Sequence, residues 1–240
     1  IVYNMQQSLY ALFTGASSGI GLELTRRMLK EGYQVLGTGR NKKILEQLRG
    51  EFADKFQYVT CDLAQQSCLQ EIVNRARNDF GRLDVLVNNA GFAYYKPILN
   101  HTIEEVEGIF LVNTIRPVQL IISLLDIMPP NSLVVNVVSP AAFVLLKNMT
   151  TYTATKAALH ILSLELEREL ASRKIRMLRV YPGATSTSFF ERINLNTPWY
   201  SLKAETVADK ILRCIKKRCR KLYIPWVLGF LELFSPKIRV

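Results

Sequence analysis

Short apolar runs alternate with amphipathic stretches along nearly the whole chain. This alternation limits the possible folds more than any other feature. The runs fall at residues 9–13, 34–38, 56–60, 84–87, 133–138 and 175–181, with a further candidate at 222–224. Runs this short suit buried strands better than helices. Helical patterns separate them and end near residues 31, 53, 80, 128, 173 and 217. Pro129 and Pro130 stop the fourth of these, and Pro182 and Gly183 stop the sixth strand. Such alternation predicts βαβ units, and so an α/β fold whose parallel sheet is covered on both faces. Right-handed crossovers make the sheet doubly wound, with about seven strands, and place ligand chemistry at the carboxyl ends of the strands.

The 240 residues read as a single domain, residues 1–240, without linker, repeat or low-complexity tract. Hydrophobic residues make up 49% of the chain, enough for a sizeable core. The net charge of +11 suits either a solvated basic surface or an anionic partner: a phosphorylated cofactor, a membrane surface or nucleic acid. No nucleic-acid module is visible, so nucleic acid ranks last. Cys61 and Cys68 are seven apart, Cys214 and Cys219 five apart and on different helix faces, and no CxxC occurs. With only two histidines, His101 and His160, this predicts no metal site and reduced thiols in a cytoplasmic setting. Residues 1–4 precede Met5, which is a candidate start, and no signal peptide is expected.

Thr14-Gly15-Ala16-Ser17-Ser18-Gly19-Ile20-Gly21 follows the first strand and opens a helix, the setting a dinucleotide loop requires. Gly15 permits the turn, while Gly19 and Gly21 let backbone approach a pyrophosphate at the helix N-terminus. A glycine-rich turn without a ligand is the competing reading. Arg40, with Asn41, Lys42 and Lys43 behind it, follows the second strand, and no acidic residue occurs before Glu46. An arginine here accommodates the 2′-phosphate of NADP(H), where an acid would select NAD. It equally suits a solvated loop. Asp62 suits an adenine amino group, with Leu63 donating its backbone N–H, or a surface helix cap. Asn88-Asn89-Ala90-Gly91 ties strand ends and leaves room for a cofactor. Asn113, in an apolar helical stretch, either packs structurally or distorts the helix to hold a water near Lys156.

Ser139 ends the fifth strand, and Tyr152 and Lys156 lie one turn apart on one face of the following helix. A nearby ammonium lowers the pKa of a phenol from its usual value of about 10. A hydroxyl at Ser139 suits a substrate carbonyl or alcohol oxygen. The alternative is a chance i, i+4 pair.

In order and spacing these motifs, with Pro182 and Gly183, resemble the classical short-chain dehydrogenase/reductase family over roughly residues 9–187. The resemblance implies a Rossmann-like domain and a tetrad. Tyr152 would be the acid/base, Lys156 would lower its pKa and bind nicotinamide ribose, Ser139 would orient the substrate, and Asn113 would support a proton relay. The implied cofactor contacts are Gly15, Ser17, Ser18, Gly19, Ile20, Gly21, Arg40, Asn41, Asp62, Leu63, Asn89, Ala90, Gly91, Tyr152 and Lys156. Pro182, Gly183, Thr185 and Thr187 would hold the nicotinamide end.

Family dimers join through the long helices, which implies a homodimer. The tail departs from the family's Gly-rich ending. Its apolar extension, residues 222–240, follows Lys216, Lys217, Arg218, Arg220 and Lys221. It is too short to span a bilayer and suits either an interfacial anchor on anionic lipid or packing on the core or a second subunit.

Phe92, Tyr94, Tyr95, Phe143, Val144, Leu145, Leu146, Phe189, Phe190, Trp199 and Tyr200 are candidates for an apolar pocket, suited to a lipid, steroid or bulky aromatic carbonyl or alcohol. The expected activity is an NADP(H)-dependent carbonyl–alcohol interconversion. The competing class is a nucleotide-binding scaffold without turnover.

Overall fold

The strands that form are those whose alternate residues can be buried in two separate layers. In the computed structural model, which describes residues 8–234, the first half of the chain contains β1 (Tyr10–Thr14), α1 (Gly19–Lys30), β2 (Gln34–Gly39), α2 (Lys42–Phe52), β3 (Phe56–Thr60), α3 (Gln66–Arg75) and β4 (Val85–Asn88). Then follow α4 (Ile103–Phe110), α5 (Arg116–Leu124), β5 (Leu133–Val137), α6 (Thr150–Ser172) and β6 (Arg176–Pro182). The chain continues with β7 (Thr185–Ser186), α7 (Ser188–Arg192), β8 (Leu202–Lys203), α8 (Ala204–Lys216) and β9 (Lys221–Ile224), then a 3-10 helix over Trp226–Phe234. Met5 and the tail beyond residue 234 lie outside the described residues.

Seven strands pair in the order β3-β2-β1-β4-β5-β6-β9, every pair parallel. This is the doubly wound, Rossmann-like sheet expected, and β9 confirms the seventh candidate strand. Along β1, Ala11 and Phe13 enter a core layer with Leu24 and Met28 of α1, Leu45 of α2 and Ile211 of α8. Leu12 points the other way, into a layer with Leu69 of α3, Leu120 and Leu124 of α5, and Leu170 of α6. Period-two alternation thus fills both faces of the sheet. The strand order reverses between β1 and β4, so the loops after these strands part and leave a crevice at their carboxyl ends.

Three sequence expectations change. The helix expected over residues 103–128 forms over Ile103–Ile127, but a π turn, Leu111–Ile115, interrupts its α pattern between α4 and α5. The segment between β6 and α8 holds α7 and the two-strand pairing of β7 with β8, elements too short to leave a periodic signal. The cysteines are paired, Cys61 with Cys68 and Cys214 with Cys219, so the expectation of reduced thiols does not hold. Helical spacing misled for the second pair because α8 ends at Lys216. Arg218 then turns the chain back with φ +60°, and the Cys219 N–H reaches the Cys214 carbonyl at 3.0 Å.

Candidate functional site

The loops after β1 and β4 are sewn together before any ligand is considered. The Thr14 hydroxyl accepts the N–H groups of Asn89 and Ala90, each at 3.0 Å. The Asn89 amide donates to the carbonyls of Thr14 and Gly15 at 3.2 and 3.3 Å. Gly15 takes φ +73°. A Cβ on Gly21 would lie 2.2 Å from the Gly15 carbonyl and 2.3 Å from the Asn89 amide nitrogen, so only hydrogen fits. Gly21 is therefore demanded by packing inside the protein, a different reason from the ligand approach expected of it. Ser18 stands at the N-cap of α1, yet its side chain caps no N–H of the helix. The first-turn donors of a twelve-residue helix are thus left without a side-chain acceptor, which suits an anion.

Two cavities adjoin at this loop. The first, about 940 Å³, is lined by Gly15, Ser17, Ser18, Arg40, Asn41, Asp62, Leu63, Asn89, Ala90 and Gly91. Arg40 is exposed there. Asn41 caps α2 by accepting the Ile44 N–H at 3.3 Å, and Asp62 accepts the Ala64 N–H at 2.9 Å. Gln65, not Asp62, occupies the N-cap of α3. Leu63 is held by the buried Arg116, which donates to its carbonyl at 2.8 Å.

The second cavity, about 690 Å³, contains the residues suited to chemistry. Ser139, Tyr152 and Lys156 line it, with Gly19, Ile20, Pro182, Gly183, Thr185 and Thr187. Ser18, Asn89 and Gly91 border both cavities and join them. Tyr152 is half-buried on α6, with Ser139 beside it in the same cavity; the Ser139 hydroxyl accepts the Ala141 N–H at 3.1 Å. Burial pushes the Tyr152 phenol above the ordinary tyrosine range, and Ser139 pulls it partly back. Lys156 is 4% exposed and donates to the Val137 carbonyl at 3.0 Å. Its ammonium lies 5.8 Å from the Tyr152 ring centroid, and burial lowers its pKa to about 8. Desolvation of the phenolate, eased by Ser139, sets the net direction at Tyr152, rather than the pull expected from Lys156.

Asn113 sits in the π turn, fully buried. Its side chain accepts the Phe92 N–H at 3.0 Å, and donates to the Phe92 carbonyl at 2.9 Å and to the Thr155 hydroxyl at 3.1 Å. Both readings of this residue thus meet in part: the helix is distorted here, and the side chain is satisfied by protein. A Cβ on Gly91 would lie 3.2 Å from the Asn113 oxygen and 3.5 Å from the Lys156 nitrogen, so glycine keeps these two groups accessible to each other.

The apolar candidates divide. Val144, Leu146, Phe189, Phe190 and Tyr200 line the second cavity. Phe92 and Tyr94 line the first instead, and Tyr95 lines neither. Phe143 packs on His160 and Tyr181, while Leu145 and Trp199 are each 94% exposed. Sequence reasoning missed Met149, Arg192, Leu228 and Leu231, all of which line the second cavity. The two leucines arrive because the 3-10 helix folds back beside β9, placing Leu228 against Gly183. Their one detectable signal was the apolar character of the tail.

A glycine cradle, an uncapped helix start and two joined cavities of these volumes fit an extended dinucleotide, and comparison with known proteins agrees. An uncharacterized oxidoreductase of Staphylococcus aureus (strain MRSA252) is 30% identical over 205 residues, covering 84% of this chain and 88% of that protein. A short-chain dehydrogenase from Sphingobium yanoikuyae, solved in complex with NADPH, matches with a TM-score of 0.83 and 27% identity over 96% of each chain. A 3-ketoacyl-(acyl-carrier-protein) reductase from Brucella melitensis, complexed with NADH, matches with a TM-score of 0.80 and 25% identity, covering 91% of this chain and 97% of that one. The short chain dehydrogenase family itself matches across residues 10–198, and the chain belongs to that family of oxidoreductases.

Proposed function

We propose that the protein interconverts a carbonyl and an alcohol on an apolar substrate, using NADP(H), with Tyr152 as the proton donor and acceptor. The observation that carries this reading is that Ser139, Tyr152 and Lys156 line one apolar cavity, which adjoins a second cavity bearing Arg40. Gly15, Ser18 and the start of α1 would hold the diphosphate, and Arg40 a 2′-phosphate. Bound there, the nicotinamide supplies or accepts the hydride.

The remaining tasks belong to the chain's own residues. A phenol raised by burial is protonated at neutral pH, which suits Tyr152 to protonating an oxygen during reduction. Ser139 and Tyr152 line the same cavity and lie near enough for Ser139 to lower the pKa of the phenol, so one substrate oxygen can lie within reach of both hydroxyls. Lys156, with its pKa near 8, can move a proton near neutral pH, beside Gly91 and Asn113. Val138, Val144, Leu146, Met149 and Phe189 exclude water and favour an apolar substrate.

Titration with NADPH and NADH, followed by cofactor fluorescence and a panel of bulky ketones, tests this reading. NADPH is expected to bind more tightly and to support turnover. Tyr152→Phe is expected to lower kcat by ~10²–10⁴-fold. Binding without turnover across the panel would favour a nucleotide-binding scaffold. NADH preference unaffected by Arg40→Asp would remove the case for NADP(H).

Two surfaces support partners. Ile103, Ile115, Ile122 and Ile161 are exposed on α4, the π turn, α5 and α6, which supports pairing with a second copy. Trp226, Phe230 and Leu233 are exposed beside β9, near Lys221, which supports peripheral contact with anionic lipid. Co-sedimentation with vesicles containing anionic lipid tests the second contact, and Trp226→Glu with Phe230→Glu is expected to abolish it.

A further inference from the structure

We propose that Arg192, on α7, binds the diphosphate of the dinucleotide and so fastens the segment 188–201 over the cofactor. The inference rests on the cofactor reading above and extends it to a residue outside the glycine loop.

Four residues border both cavities: Ser18, Asn89, Gly91 and Arg192. Arg192 is the only cation among them. A dinucleotide that places its adenosine in one cavity and its nicotinamide in the other must pass its diphosphate through this junction. The Arg192 guanidinium donates to the Ser18 hydroxyl at 3.4 Å, the long end of hydrogen-bond range. Among the described residues no carboxylate pairs with it; Glu191, its chain neighbour, forms no ion pair with it. An exposed arginine held only weakly to a serine, directly over an uncapped helix start, retains its donors for an anion.

The element that carries Arg192 is anchored at one end to the same loop. Thr187 caps α7 by accepting the Phe189 N–H at 3.3 Å, and it packs so closely on Gly19 that a Cβ there would lie 2.9 Å from the Thr187 methyl. The far side of α7 faces the second cavity through Phe189 and Phe190. An ion pair between Arg192 and the diphosphate would therefore hold α7, and with it part of the substrate wall, against the cofactor. The predicted order of events is cofactor first, then completion of the apolar wall.

The test compares the wild-type protein with Arg192→Gln and Arg192→Lys, titrated separately with NADPH and NADH across a range of salt. Arg192→Gln is expected to weaken both nucleotides alike, by roughly 10- to 100-fold for a charge-assisted contact, and Arg192→Lys to recover part of that loss. The wild-type affinity should fall more steeply with salt than that of Arg192→Gln. Chymotrypsin gives a second readout: NADPH should protect the exposed Trp199–Tyr200 site in the wild type, and fail to do so in Arg192→Gln at the same fractional saturation. Equal affinities in wild type and Arg192→Gln would overturn the proposal, as would a loss confined to NADPH, which would assign Arg192 to the 2′-phosphate. If the wild type bound neither nucleotide, the cofactor reading would fall and take this one with it.

Discussion

Lys156 shows how a single side chain sets stability against chemistry. It is buried with the Val137 carbonyl as its hydrogen-bond partner, and its pKa falls to about 8 from the ordinary lysine value of 10.5. Between those values the unfolded chain binds more protons than the folded one, so folding stability rises with pH across that window. The cost of burying the ammonium is fully present below pH 8. Relieving it through the window is worth on the order of 3 kcal/mol. Lys156→Met removes this titration. Its stability advantage over the wild type should therefore shrink by about 3 kcal/mol between pH 7 and pH 10, read from urea unfolding at each pH. A pH-independent difference would mean that Lys156 titrates alike in the folded and unfolded chain, with no shift on burial. Tyr152 shifts the other way, and for the same reason: burial disfavours whichever form carries charge. The pair was legible in the sequence as a spacing. The sign of the Tyr152 shift was not, because it depends on how much protein surrounds the ring, and a spacing does not report that.

Among the elements, the π turn at Leu111–Ile115 does the most to position the site. One extra residue in the turn places Asn113 against the Phe92 backbone and the Thr155 hydroxyl, so the loop after β4, the α4–α5 helix and α6 share one side chain. Asn113→Leu would leave both Phe92 backbone groups without their partner, and should cost about 3 kcal/mol in denaturant unfolding. Thr155→Ala, which removes one bond of these three and the bond that the Thr155 hydroxyl donates to the Tyr152 carbonyl at 2.7 Å, should cost about 2 kcal/mol. The strand–helix alternation, the doubly wound parallel sheet and the glycine loop were readable from the sequence, because each follows from a local pattern: apolar alternation, or glycine beside a strand end. The π turn was not, because the hydropathy of residues 103–127 is continuous across it and only a lone asparagine marks the place. The same limit hid α7 and the Leu228–Leu231 wall. Five-residue elements and irregular tails leave no period to detect, and their positions are fixed by tertiary contacts such as Leu228 on Gly183.

At the scale of the molecule, the segment Ile103–Ile127 is long and apolar enough to cross a membrane by length and composition, but half of it is buried inside the fold. Much of its remaining apolar surface is the row of isoleucines proposed to meet a second copy. The double substitution Ile122→Glu with Ile161→Glu, at two exposed positions, should convert a dimer to a monomer in sedimentation velocity without changing the far-UV circular dichroism. An unchanged sedimentation coefficient would place the dimer contact elsewhere or leave the protein monomeric. One edge strand of the sheet, β9, has the 3-10 helix packed beside it. Lys221 pairs with Glu232 at 2.8 Å, and a Cβ on Gly229 would lie 3.1 Å from the Tyr223 ring. That same helix sends Leu228 and Leu231 into the second cavity. An exposed β edge invites chains to add onto one another, so this cover has a duty unrelated to the substrate. Divergence toward new substrates is constrained accordingly: the tail can be resculpted only by exchanges that keep the edge shut, and a variant that sheds it to enlarge the pocket becomes sticky before it becomes promiscuous.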